Sequence, residues 1–245
     1  MGSGVSWPVP DLTSIIEQAS CLSAYTLPPR TLDRLASLLA DLRPEATAET
    51  GCGASTLVFS RFSRVHTVFA FNEFGVFERL RVADLIGPAK LEFVEGPTQR
   101  TLPQYRFQTV LDAVLLDGPH AYPFPDLEYF YFYPQIRSGG ALVIDDLQIR
   151  SVHNLFEFLR RDKMFELETV VHRTAFFRRT DAPIFPSEAD GWEDQAYNAR
   201  ELLRFTWREQ LRRRMPPWAR AAVRRLRALG FRTSQADRGT SSLTR

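Results

Sequence analysis

A chain of 245 residues with 44% hydrophobic and 24% charged content can bury one substantial core, which excludes a chain disordered throughout. Its longest apolar runs, such as Leu111 to Leu116, are strand-sized and far below the ~20 residues that span a bilayer. The net charge of +2 hides an uneven distribution, with only two lysines, Lys90 and Lys163, and arginine crowded toward the C-terminus. The arginine bias fits a GC-rich bacterial genome. Cys21 and Cys52 are too few for a disulfide scaffold and too far apart for a metal pair. A cytoplasmic setting is expected, since no basic-then-apolar leader opens the chain.

Four regions follow from the pattern along the chain. Residues 1–29 hold a short helix, Asp11 to Ser20, closed by Pro28-Pro29. Residues 30–181 alternate helix and strand signals. Residues 182–232 are aromatic and then basic, and residues 233–245 are polar and expected to be a disordered tail.

Within the central region, Thr31 to Leu42 places Leu32, Leu35, Leu38 and Leu39 on one helical face, with Thr31 as the N-cap. A strand over Ala46 to Thr50 runs into the turn Glu49-Thr50-Gly51-Cys52-Gly53-Ala54-Ser55, and a helix follows to Phe62. Strands are predicted at His66 to Phe71, Lys90 to Glu95, Val110 to Leu116 and Ala141 to Ile144. Helices are predicted at Gly75 to Ile86, Asp126 to Ile136 and Val152 to Arg160. Phe165 to His172 and Thr174 to Arg179 close the region as a hairpin. Strands separated by helices predict a doubly wound α/β fold: seven strands, mostly parallel, with helical extensions at both ends.

Ligands of such sheets bind at the carboxyl ends of the strands, so the residues just after each strand are the candidates. After the first strand, Gly51 and Gly53 let the backbone approach a ligand. Thr56 stands where a dinucleotide fingerprint needs its third glycine, so the turn suits a cofactor without a pyrophosphate better than NAD. After the second strand, Asn72 and Glu73 can meet ribose hydroxyls. After the third, Gly96 and Thr98 can border an adenine. Asp117 and His120 follow the fourth strand, and Asp145-Asp146 the fifth. Carboxylates gathered this closely repel unless hydrogen bonds or a cation compensate. An oxygen-rich set of this kind suits Mg²⁺ or another hard divalent ion. His120 has the reference pKa of a proton acceptor near neutrality. The structural alternative makes Asp117 a cofactor contact, Asp146 a helix cap and His120 a loop residue.

Three segments carry a resemblance: Glu49-Thr50-Gly51-Cys52-Gly53-Ala54-Ser55-Thr56, Leu116-Asp117-Gly118-Pro119-His120-Ala121-Tyr122 and Gly139-Gly140-Ala141-Leu142-Val143-Ile144-Asp145-Asp146. Together they resemble the class I S-adenosylmethionine-dependent methyltransferases, in particular the macrolide-sugar O-methyltransferase-like (methyltransferase 24) family, over residues 30–181. The resemblance implies S-adenosylmethionine held by Glu49, Gly51, Gly53, Ser55, Asn72 or Glu73, Gly96, Thr98 and Asp117. It implies Mg²⁺ on Asp117, Asp145 and Asp146, and methyl transfer to a small hydroxylated molecule. His120 stands where the similar catechol O-methyltransferases carry a lysine near the reacting hydroxyl. RNA methylation and a non-catalytic cofactor-binding role are the competing readings. Trp192 and Tyr197 are placed as lid candidates. The arginine-rich helices split by Pro216-Pro217 read first as a surface for a partner or a second copy. A membrane surface and nucleic acid are the alternatives.

Overall fold

The computed structural model describes residues 27–81, 86–185, 195–199, 211 and 214–228. The predicted helix over Asp11 to Ser20, Cys21 and Trp192 lie outside them. The chain divides into two compact units, Met1–Asp190 and Gly191–Arg245.

The first unit is built on one seven-stranded sheet. Its elements are α1 (Pro29–Leu42), β1 (Ala46–Thr50), α2 (Ala54–Phe62), β2 (Val65–Ala70), α3 (Val76–Arg81), β3 (Lys90–Glu95), the single turn α4 (Thr98–Thr101), β4 (Leu111–Leu116), α5 (Phe124–Phe132), β5 (Ile136–Ile144), α6 (Arg150–Leu159), β6 (Phe165–Val171) and β7 (Thr174–Arg179). The strand order is β3-β2-β1-β4-β5-β7-β6. The five strands from β3 to β5 run parallel, and β7 lies antiparallel between β5 and β6. Strand order reverses between β1 and β4, the point where an open α/β sheet leaves a crevice at its carboxyl edge.

Two apolar layers cover the sheet. On one face, Leu32, Leu35, Leu38 and Leu39 of α1 pack with Leu57, Val58 and Phe59 of α2 and with Val68, Leu115 and Val143. On the other, Phe132 and Tyr129 of α5 and Leu155 and Leu159 of α6 pack on Phe69, Val114, Leu142 and Phe177. Because both faces are covered, β4 is buried at every position, as expected of a parallel strand. The ring cluster Tyr129 to Tyr133 serves this packing: Tyr129, Phe132 and Tyr133 are buried, and only Phe130 is exposed among its large hydrophobics.

Local departures from the sequence reading have identifiable causes. The helix α1 starts at Pro29, whose fixed φ suits the first helical position. Thr31 therefore sits inside the helix, buried and without a capping bond, rather than serving as N-cap. Strand β5 starts at Ile136 and runs through Ser138-Gly139-Gly140, ahead of the predicted strand start at Ala141. Gly139 takes φ +72°, and the ladder with β4 shifts register between Leu111 and Ala113. A side chain on Gly140 would meet the carbonyl oxygen of Asp112 at 2.9 Å, so the glycine marks a close strand approach. Asp112 also pins the amino edge of the sheet: its carboxylate accepts from the amides of Glu45 and Ala46 and from Arg137 Nε.

The second unit contains a 3-10 turn, Ala196–Ala199, and α7 (Pro217–Ala228). Tyr197 lies in that turn and is 38% exposed. Among the described residues, no helix is long and apolar enough to cross a membrane.

Candidate functional site

The turn after β1 is held from beneath. Gly51 donates its amide to the carbonyl of Phe69 on β2 at 2.9 Å and takes φ +85°. A Cβ there would stand 2.5 Å from the backbone oxygen of Asp117, so both conformation and space require glycine. At Gly53 a Cβ would meet nothing within 4 Å beyond its chain neighbours. Packing does not demand glycine at that point, whereas close approach of a ligand would. The Gly53 amide donates to Thr56 Oγ1 at 3.0 Å, and the Thr56 hydroxyl donates in turn to Glu49. Thr56, at the third position of the failed dinucleotide fingerprint, is thus the tie that closes the turn.

Glu49 does not face the solvent as an exposed acid. It is 0% exposed, and its Oε1 meets Thr56 and, at 3.2 Å, His66 Nε2. The His66 ring stacks on Phe59 at 4.5 Å and contacts Thr47 through Nδ1. Glu49 Oε2 has no hydrogen-bond partner. Cys52, at the tip of the turn, has its thiol pushed up to about 12 by burial, then by Glu49 and Glu73, with Asp117 adding to the effect. It stays a protonated thiol at neutral pH and is no nucleophile. Beyond burial, Glu49, Glu73 and Asp117 raise the thiol and Arg79 opposes them, so acidic groups outnumber basic ones around the glycine turn. Ser55 is buried at the first turn of α2.

At the end of β2 the two ribose candidates separate. Asn72 Oδ1 accepts from the amide of Phe77, and Asn72 Nδ2 donates to both carboxylate oxygens of Glu78 at 3.1 and 3.2 Å. Its side chain is committed to the entry of α3, while Glu73 is exposed at the crevice edge. Gly96 takes φ +130° after β3, and Thr98 is 4% exposed, with its hydroxyl beside the Glu128 carboxyl.

The sheet brings Asp117, His120 and Asp146 together, each offering a ligand atom within 4.8 Å of the others. His120 Nε2 lies 3.0 Å from Asp146 Oδ2 and 3.8 Å from Asp117 Oδ1. The His120 carbonyl accepts from Ser151 of α6, which fixes the loop. Burial, reinforced by Asp145 and Asp146, pushes the Asp117 carboxyl up to about 6 against the pull of His120. Asp117, and after it Asp146, hold His120 above its ordinary value, while burial offsets part of that rise. Asp146 adopts φ +62°, a left-handed conformation that Asp tolerates better than most residues.

Asp145 is not part of this gathered group. Only 2% exposed, it accepts a hydrogen bond from the Thr174 hydroxyl, and burial raises its carboxyl first, with Thr174 opposing. Arg173, at the β6–β7 turn, places Nε 2.9 Å from Asp146 Oδ1 and 3.6 Å from Asp145 Oδ2. Gln148 also donates to Asp146 Oδ1 at 2.8 Å. The acidic pair therefore has a cationic neighbour supplied by the chain itself. Nothing in the hairpin sequence marked Arg173, because its role depends on β7 inserting beside β5.

Glu128 of α5 is a second residue that sequence reasoning missed. It is 2% exposed beneath the loop after β4, where its carboxylate occupies the space a Gly118 side chain would need. Thr50 donates to Glu128 Oε2 at 2.9 Å and accepts the Asp117 amide at 3.0 Å, linking the helix to the strand ends. Burial pushes the Glu128 carboxyl up to about 7, the Thr98 and Thr50 hydroxyls pull it partly back, and Asp117 raises it again. A carboxyl with a raised folded-state value keeps its proton in the native protein after the unfolded chain has lost it. Stability should therefore decline as pH rises from about 4.5 to about 7 and level off beyond. In Glu128→Gln that decline should flatten, with the variant melting several degrees above the parent at pH 8. Thermal melts of both proteins across this range check the assignment, and parallel profiles would refute it.

Comparison with known proteins follows the same lines. Residues 48–147, from β1 to just past Asp146, match the family model described as a methyltransferase domain. No curated protein matches the sequence. An O-methyltransferase from Bacillus cereus in complex with S-adenosylhomocysteine is 14% identical, with a TM-score of 0.57 over 69% of this chain and 90% of that one. The O-methyltransferase TomG from Streptomyces achromogenes, involved in tomaymycin synthesis and solved with S-adenosylmethionine, is 16% identical, with a TM-score of 0.56 over 74% of this chain and all of that one (100%). An S-adenosylhomocysteine-bound methyltransferase of Podospora anserina is 14% identical, with a TM-score of 0.53 over 70% and 89%. At these identities the structural likeness shows the fold, and the domain match covers residues 48–147. That stretch thus matches a methyltransferase domain, and the seven-stranded sheet has the fold of these methyltransferase structures.

Proposed function

We propose that the protein transfers a methyl group from S-adenosylmethionine to a hydroxyl of a small molecule, a sugar or secondary metabolite, at the group Asp117, His120 and Asp146. The observation that carries the reading is the convergence of these three side chains at the carboxyl edge of β4 and β5, beside the glycine turn. The residues present suit the cofactor: a glycine turn with room at Gly53, an acidic field around Cys52 and an exposed Glu73 after β2. When bound, S-adenosylmethionine supplies a methyl group on a positively charged sulfur.

Glu73 is the residue for the ribose hydroxyls, since Asn72 is engaged with Glu78. Gly96 and Thr98 border the base. The chain's remaining task is to align an acceptor hydroxyl and remove its proton. His120 accepts that proton, and Asp117 and Asp146 stabilise the imidazolium that results. Asp117 and Asp146 are also the carboxylates that would hold a divalent cation, with Asp145 fixed behind them by Thr174. Such a cation would lower the pKa of an acceptor hydroxyl.

A second reading rests on Arg173. Its guanidinium already faces Asp145 and Asp146, so the charge of the pair is compensated and turnover would proceed without a metal. Incubation with labelled S-adenosylmethionine and a panel of hydroxylated metabolites tests both. Methyl transfer abolished by EDTA and restored by Mg²⁺ supports the cation-assisted reading. Full transfer in excess EDTA supports the Arg173 reading. Label appearing in RNA rather than in any small molecule contradicts the proposed substrate class.

A further inference from the structure

The methyl-transfer site leaves the most strongly charged part of the molecule unused. Residues 210–236 contain eight arginines and no aspartate, glutamate or lysine. This stretch carries +8, which leaves the remainder at −6, since the whole chain carries +2. Charge is thus segregated along the chain rather than mixed as on an ordinary solvated surface.

Helix α7 lies within this stretch. Trp218 is 75% exposed, and Ala222, four residues on and hence on the same side of the helix, is exposed as well. In sequence, Trp218, Ala222 and Leu226 recur every four residues, with Arg224, Arg225 and Arg227 interleaved among them, while Arg220 is buried and stands apart from this series. An apolar series opened by tryptophan, interleaved with a purely cationic one, is the composition of a helix that lies in a lipid interface. There an indole sits at headgroup depth and arginines reach anionic phosphates.

We infer that α7 and its flanking arginines dock the protein on an anionic phospholipid surface. A second copy packed α7 against α7 is a poorer occupant, because it brings another +8 segment and no acid in 210–236 to pair with. Nucleic acid would satisfy the arginines but leave the face of Trp218 and Ala222 in water.

Flotation of the full chain with lipid vesicles tests the inference. Binding is expected to vesicles of phosphatidylcholine containing phosphatidylglycerol, not to phosphatidylcholine alone, and to fall steeply as salt is raised. Arg224→Gln with Arg225→Gln should weaken binding by roughly twenty-five-fold, at about fivefold per arginine. Trp218→Ser should weaken it severalfold. Neither variant should change the thermal shift given by S-adenosylmethionine, which separates a lost membrane contact from a damaged fold. Equal binding to neutral vesicles, or none to anionic ones, would overturn the inference. So would salt-sensitive binding of RNA in place of vesicles, or a dimer that Trp218→Ser dissolves.

Discussion

Replacing His120 or Asp146 by alanine should reduce methyl transfer by about two to four orders of magnitude, the usual contribution of a positioned acid or base, while S-adenosylmethionine affinity changes by less than about threefold. The separation follows from geometry. Asp146 Oδ2 faces His120 at 3.0 Å, and its other oxygen is bound by Gln148 and faces Arg173. These contacts follow β4 and β5, whereas Gly53 and Glu73 follow β1 and β2. Asp145→Ala is expected to behave differently. That carboxylate is 2% exposed and bound by Thr174, so its loss should lower the melting temperature as well as turnover. Single-turnover rates paired with equilibrium cofactor titrations on the three variants check this. Equal loss of cofactor affinity in His120→Ala and Asp146→Ala would show that the group belongs to cofactor binding alone.

Gly51→Ala should produce the opposite pattern, with cofactor binding lost first. A left-handed φ of +85° costs an L-residue about 1–2 kcal/mol. The added methyl would also stand 2.5 Å from the backbone oxygen of Asp117. That neighbour is backbone at a strand end and cannot rotate away, so the turn and the β4 end must part. Total destabilisation of at least about 2 kcal/mol is expected, or a melting temperature lower by about 4–8 °C for a domain of this size. Gly53→Ala adds a methyl that meets nothing within 4 Å beyond its chain neighbours. It should leave stability nearly unchanged and weaken cofactor binding, which makes the pair a control for each other. Melting curves and cofactor titrations on both variants measure the contrast, and a stable Gly51→Ala with unaltered affinity would contradict it.

The parts of the fold governed by local pattern were readable from sequence. Apolar β4 and the spaced leucines of α1 announce their burial, and Lys90–Glu95 and Thr174–Arg179 appear in the structure with the predicted bounds. What the pattern could not give are the contacts made only by long-range pairing. Ser138-Gly139-Gly140 has turn composition, yet the β4 ladder recruits it into β5. Arg173 resembles any hairpin arginine until β7 is inserted beside β5. Glu128 has the look of a solvated helix residue, and only the packing of α5 beneath Gly118 buries it. The candidate acids were legible because strand ends converge at the crevice, but their division of labour was not. Asp117 and Asp146 gather with His120, whereas Asp145 turns to Thr174. Glu49, expected among the residues that hold the cofactor, is closed in by Thr56 and His66.

A cofactor seat on the glycine turn that serves a separate reaction group would give the two sites different binding behaviour on mutation. Calorimetric titration of S-adenosylmethionine into the full chain and into Gly51→Ala and Asp146→Ala tests it most directly. The predicted result is one saturable site in the parent, the same site in Asp146→Ala and none in Gly51→Ala. Absence of binding to the parent, or binding that survives Gly51→Ala unchanged, would contradict the claim.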